Sequence, residues 1–115
     1  MIELHLPYPP SKNDLRNYGR GRVYKTDRYA EWLSVAGKMI MEQRCGGVPG
    51  RYKLTIQAMR PDRRKRDLGN LLEATEDLLK SVGVIEDDSL SEMISLRWVT
   101  TGGPFTVRVE PAGVE

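Results

Sequence analysis

The chain predicts an α+β fold in the order β-α-β-α-β-β, a mixed sheet with two helices packed on one face. Three observations point to it. Short stretches near both ends and in the middle alternate apolar and polar residues. Two longer stretches between them place apolar residues at helical spacing. Glycine or proline punctuates most junctions.

Ile2 to Leu6 alternates and reads as a strand, ended by Pro7, Pro9 and Pro10 around Tyr8. A Gly-Arg-Gly-Arg loop follows at Gly19 to Arg22. Thr26 or Asp27 can cap a helix whose apolar positions are Tyr29, Trp32, Leu33, Ala36, Met39 and Ile40, with Gly46 and Gly47 as its stop. The aromatic pair on that face suits a core better than a platform for bases. Tyr52 to Met59 alternates around Leu54 and Ile56 and gives a second strand. The next helix has Leu68, Leu71, Leu72, Thr75, Leu78, Leu79 and Val82 on one face. Asn70, Glu73, Glu76, Asp77 and Lys80 lie on the other. Asp67 stands at its N-terminal edge, where a carboxylate accepts unpaired backbone N–H groups, and Gly83 sits where a C-terminal cap belongs. Met93 to Thr100 and Phe105 to Val109 read as a closing hairpin around Thr101 to Pro104.

With 115 residues and 39% apolar content, a single domain over residues 1–115 with one modest core is expected. The one cysteine, Cys45, excludes an intrachain disulfide and any metal site built on several cysteines. The first residues show no signal-peptide pattern, and no apolar run is long enough to span a bilayer, so no membrane association and a reducing cytoplasm are expected. His5, the only histidine, falls opposite the apolar side chains of its strand, beside Glu3, and reads as a surface residue.

The net charge of +2 says little about partners; its distribution says more. Five of the seven residues from Arg60 to Arg66 are basic, and they run directly into Asp67. Arg16, Arg20, Arg22 and Lys25 form a second basic stretch. Seven of the 16 acids lie between Glu73 and Glu92. Cations that hold a phosphate backbone, next to carboxylates that can hold a divalent ion, suit nucleic-acid cleavage better than binding alone. Asp67 before a helix and Asp87–Asp88 after Val84–Ile85 form a candidate magnesium site, since magnesium needs only a few carboxylates and keeps its remaining waters. An N-cap for Asp67 and a turn at Glu86–Asp87–Asp88 are the bland alternatives. Glu73 and Asp77, four residues apart, repel by a few tenths of a kcal/mol, which hints at a cation nearby unless the face is simply solvated.

Several stretches, in order, resemble the RusA family of Holliday-junction resolvases, small endonucleases of phage and prophage origin. They are Leu6-Pro-Tyr-Pro-Pro-Ser-Lys-Asn13, Gly21-Arg22, Pro61-Asp62-Arg-Arg-Lys-Arg-Asp67-Leu-x-Asn70, Asp77-Leu78 and Asp87-Asp88. The resemblance implies a homodimer that binds four-way DNA junctions in recombination and repair. It implies paired symmetric nicks made with magnesium (or manganese), without a small-molecule cofactor. Asp67 and Asp88 match two of the family's catalytic acids, with Asp87 or Glu73 assisting as ligand. Arg63, Arg64, Lys65 and Arg66 match its DNA-contacting segment, extended by Asn13, Arg16, Arg20, Arg22 and Lys25; Asn70 and Asp77 would support the site. Two residues depart from the family's Asp-x-Asp-Asn pattern with a lysine three positions on: Gly69 replaces the second aspartate, and Glu73 the lysine. Three accounts follow. The chain is a weak or inactive junction binder; Glu73 is a relocated ligand; or the sequence was altered deliberately. A structural module with no nucleic-acid role is the remaining rival.

Overall fold

Four strands form one mixed sheet in the order β1-β6-β4-β5, where β1 is Ile2–His5, β4 Tyr52–Ala58, β5 Ser91–Trp98 and β6 Phe105–Pro111. The computed structural model describes residues 1–19 and 21–113. Helices α1 (Asp27–Gln43) and α2 (Leu72–Ser81) cover one face, and a separate two-stranded hairpin, β2 (Arg16–Gly19) with β3 (Arg22–Lys25), precedes α1.

β4 is central because its alternate residues Tyr52, Leu54, Ile56 and Ala58 are all fully buried. It pairs antiparallel with β6, matching Ile56 to Val107, and parallel with β5, matching Ile56 to Leu96. Phe105, Val107 and Val109 continue the same apolar face, and Leu4 of β1 completes it. Against it pack Tyr29, Trp32, Ala36 and Ile40 of α1 and Ala74, Leu78 and Leu79 of α2. The helices approach closely at Gly37, where a Cβ would lie 3.3 Å from Val82 Cγ1.

Three local expectations are corrected. The last two strands do not form a hairpin with each other; both flank β4. Val99 N–H donates to Ala58 O (2.9 Å) and Met59 N–H to Pro104 O (3.0 Å), so the connecting loop wraps over the end of the central strand. A strand buried so evenly along one face draws a partner to each side, and the α2 crossover delivers β5 parallel to it. Second, the residues flanking positions 20–21 pair as a hairpin, with Arg16 opposite Lys25 and Tyr18 opposite Val23. Its strands are short and mostly exposed, so they carry no burial signal. Third, α1 ends at Gln43, before the two glycines, with Arg44 in the left-handed region (φ 48°). Its start is as expected: Thr26 Oγ1 accepts from Tyr29 N–H at 3.1 Å.

The second helical stretch begins as a 3₁₀ turn, Leu68–Leu71, and becomes α-helical at Leu72. Asp67 Oδ1 accepts from Gly69 N–H at 3.0 Å, which tightens the first turn, and Gly69 there favours the helix less than alanine would. Gly83 takes φ +80°, as the capping position requires. Val48 N–H then donates to Val84 O (2.8 Å), fixing the segment that leads into Glu86–Asp88.

Candidate active site

The proline-rich opening is pinned from two sides. Trp32 Nε1–H donates to Pro7 O (2.9 Å), and the Tyr8 ring meets Phe105 edge-on at 6.0 Å between centroids. This anchoring brings Tyr8, Ser11 and Asn13 to one side of a cleft of about 490 Å³. Lys65, Arg66, Asp67 and Asn70 form the other side. Two motifs far apart in the sequence therefore share one surface. Leu71 also lines it; the sequence marks Tyr8 and Ser11 only as members of the opening motif and Leu71 only as an apolar helix position, none of them as a site residue.

The basic ridge is ordered by its own acid. Asp62 accepts from Arg64 N–H (3.0 Å) and from Arg66 Nε (3.1 Å) and Nη2 (2.6 Å). The Arg66 guanidinium, then the Arg64 amide, pull the Asp62 carboxyl down to about 2. Arg66 is thereby oriented but partly neutralised. Arg63, Arg64 and Lys65 are exposed and, among the described residues, form no ion pair. Arg60, at the start of the run, stacks over the Trp98 ring at 5.0 Å, a contact that tethers the ridge to β5.

The carboxylates fall into three settings. Asp67 is exposed in the cleft, with Oδ1 committed to Gly69 N–H. Asp87 is occupied on both oxygens. Lys80 Nζ lies 2.7 Å from Oδ1, while Ser89 N–H (3.1 Å) and the Ser89 hydroxyl donate to Oδ2. Lys80, then Ser89, hold the Asp87 carboxyl well below the usual carboxylate range. The Asp88 carboxylate is exposed and has no hydrogen-bond or ion-pair partner among the described residues, while its backbone carbonyl accepts from Ser91 N–H. Among those residues no three acidic, histidine or cysteine side chains converge on one point, so Asp67, Asp87 and Asp88 do not form a single three-carboxylate cluster.

Glu73 and Asp77 do have the nearby cation that their spacing hints at. It is Arg16, at the root of the β2–β3 hairpin. One guanidinium nitrogen pairs with Glu73 Oε2 and the other lies 3.3 Å from Asp77 Oδ2. The buried Tyr29 hydroxyl donates to the same Asp77 oxygen at 2.6 Å. Burial and then the Asp77 carboxylate push the Tyr29 phenol strongly up, so it stays a donor. Arg16 is thus engaged within the protein, whereas Arg22 and Lys25 are exposed on the hairpin. Arg20 lies outside the described residues. Tyr29→Phe removes one bond of this network and is expected to lower stability by about 1 kcal/mol. Urea unfolding checks this, and an unchanged midpoint would show that the hydroxyl contributes nothing net.

A run of cations leading into an exposed carboxylate is a surface for a phosphate polyanion that also offers oxygen ligands to a metal, the arrangement found in metal-assisted nucleases. The chain belongs to the RusA family: the family described as Endodeoxyribonuclease RusA matches residues 7–110. It is 36% identical over 93 residues to the crossover junction endodeoxyribonuclease RusA of Aquifex aeolicus (strain VF5), covering 77% of this chain and 73% of that one. It is 30% identical over 115 residues to the proteins of that name from Escherichia coli (strain K12) and Enterobacteria phage 82, covering 96% of this chain and 94% of each of those.

Proposed function

We propose that this protein is a magnesium-dependent endonuclease that resolves four-way DNA junctions by paired nicking, acting as a homodimer in the cytoplasm. The observation that carries the reading is the shared cleft, in which Ser11 and Asn13 face Lys65, Arg66, Asp67 and Asn70. Family membership supplies the reaction class, and the cleft supplies chemistry suited to it. A two-fold symmetric junction cut on two strands calls for two equivalent sites, which a two-fold dimer provides.

The donor set fits a hard divalent ion. Asp67 keeps an oxygen beyond the one bonded to Gly69, and Asp88 has both oxygens without a protein partner among the described residues. Asp67 and Asp88 would hold magnesium, with manganese as a substitute. Bound there, such an ion supplies an activated water and neutralises charge on the phosphate in transit. Arg63, Arg64 and Lys65 grip flanking phosphates. Arg66, set at a fixed angle by Asp62, presents its remaining N–H groups to the backbone. Asn13 and Asn70 offer neutral donors at the cleft wall, and Arg22 and Lys25 extend the track along the hairpin.

A second reading, a junction-binding protein with weak or no catalysis, is favoured by one observation. Gly69 contributes no carboxylate, and Glu73 is committed to Arg16. One assay separates the two: a synthetic four-way junction incubated with and without magnesium, with binding and nicking followed together. Magnesium-dependent nicking supports the first reading; binding without nicking supports the second; neither would remove both.

Junction affinity should fall steeply with salt, since each phosphate contact releases counterions and adds about 0.9 to the slope of log affinity against log salt. Replacing Arg64 and Lys65 with alanine is expected to flatten that slope by about 0.9 per lost contact. A slope identical to that of the unmodified protein would take the ridge out of the DNA interface.

A further inference from the structure

A pair of carboxylates on α2 and the turn after it, Glu76 and Asp88, has the features of a cation site. Lys80 reaches Asp87, which fixes the face of α2 carrying Glu76 and Lys80, one helical turn apart, against the turn at Asp87–Asp88. Asp87 is saturated by Lys80 and Ser89. Glu76 and Asp88 are not: neither carboxylate has a hydrogen-bond or ion-pair partner among the described residues. Glu76 is half-buried, and desolvation, then Asp88 and Asp77, push its carboxyl up.

Beside them stands a polar atom with no partner. Tyr52 begins β4, opposite Ser91 of β5, three positions after Asp88. Its side chain is fully buried, and its hydroxyl makes no hydrogen bond. Ser91 approaches it without meeting hydrogen-bond geometry, while burial and then the charges of Glu76 and Asp88 raise the phenol to about 12. A buried hydroxyl left unpaired is destabilising, and two unpaired carboxylates beside it repel each other. A divalent cation resolves both problems. It neutralises the carboxylates, and a water it carries can exchange a hydrogen bond with the phenol.

We propose that Glu76 and Asp88 pair as ligands of a divalent cation, supported by the Tyr52 hydroxyl. This extends the nuclease reading, because Asp88 belongs to both. It differs from the relocation to Glu73, whose carboxylate is held by Arg16. Magnesium needs only one or two protein carboxylates, so a pair is sufficient.

The test is titration of the full-length protein with manganese alone, followed by the electron paramagnetic resonance of the free ion. Glu76→Gln keeps shape and removes an unpaired half-buried charge, so it should fold at least as well as the unmodified protein. It is expected to weaken manganese binding tenfold or more. Tyr52→Phe is expected to weaken it several-fold at unchanged circular dichroism, as losses of groups around a metal's ligands do. Manganese affinity in Glu76→Gln equal to that of the unmodified protein would overturn the proposal. Junction nicking is measured in parallel. Nicking by the unmodified protein together with undiminished manganese binding in Glu76→Gln overturns this inference and leaves the nuclease reading standing. Lost manganese binding in Glu76→Gln, with no nicking by the unmodified protein, supports the cation site and overturns the nuclease reading.

Discussion

Asp67→Asn is expected to reduce magnesium-dependent nicking of a four-way junction by at least about 10²-fold, while fold and junction affinity survive. The separation of effects follows from the two jobs of this side chain. Its Oδ1 caps the 3₁₀ turn through Gly69 N–H, and an asparagine oxygen accepts that bond nearly as well. Its charge is what asparagine removes. It lies in the cleft with Lys65 and Arg66, so losing it makes the surface more positive, and DNA should bind as tightly or more tightly. Asp88→Asn should behave the same way in nicking, since the Asp88 carboxylate has no bonding partner among the described residues and its backbone bond to Ser91 N–H is unaffected by the change. A gel-shift titration, a nicking time course and a melting curve on each variant separate the three quantities. Full nicking by rigorously purified Asp67→Asn would show that Asp67 is not a metal ligand. Lost binding would show that Asp67 organises the cleft instead.

The parts legible in the sequence are those with a burial period. The faces of α1 and α2, the alternation of β4, the Thr26 cap and the glycine after α2 all come from positions where water is excluded and spacing is forced. The pairing of β5 was not legible. Met93, Ile94 and Ser95 are exposed on an edge strand, so nothing in their pattern distinguishes pairing with β4 from pairing with β6. The hairpin was missed for the same reason, since Tyr18 is 80% exposed and Val23 and Tyr24 also face solvent.

The site divides along a similar line. The order of motifs points to Asn13 and to Lys65, Arg66, Asp67 and Asn70, and the structure places them around one cleft. The destination of Arg16 could not be read from the chain, because an arginine in a basic run looks the same whether it meets phosphate or a carboxylate 57 residues away. The like charges at Glu73 and Asp77 were the available signal, and it pointed to a cation without naming it. Glu76 had only the pattern of a polar helix face. Its setting depends on Tyr52 and Asp88, which come from other elements.

Gly69→Asp is expected to raise the nicking rate by about 10-fold to 10³-fold if the departures at 69 and 73 mark weakened catalysis. The backbone permits the change. Gly69 does not need a left-handed conformation, and the nearest atom to a Cβ there is Asp67 Oδ1 at 3.4 Å, an ordinary contact. The new carboxylate would stand beside Asp67 and give the cleft a second acidic ligand. Glu73→Lys has a mixed effect. It returns a cation to the helix face but takes a carboxylate from Arg16 and sets an ammonium against the guanidinium, leaving Asp77 to neutralise both. The pair is partly exposed, so the stability loss should be about 1 kcal/mol or less, while the hairpin carrying Arg22 and Lys25 loosens from α2. Glu73→Gln keeps a hydrogen bond to Arg16 and should leave the hairpin in place. If Glu73 were instead a metal ligand, both Glu73 variants would cripple nicking, and Gly69→Asp would not rescue them. A magnesium titration of Gly69→Asp, Glu73→Gln, Glu73→Lys and the Gly69→Asp, Glu73→Lys double variant decides the matter. A gain in Gly69→Asp with little loss in Glu73→Gln assigns Glu73 to the arginine. Loss in both single Glu73 variants assigns it to the metal.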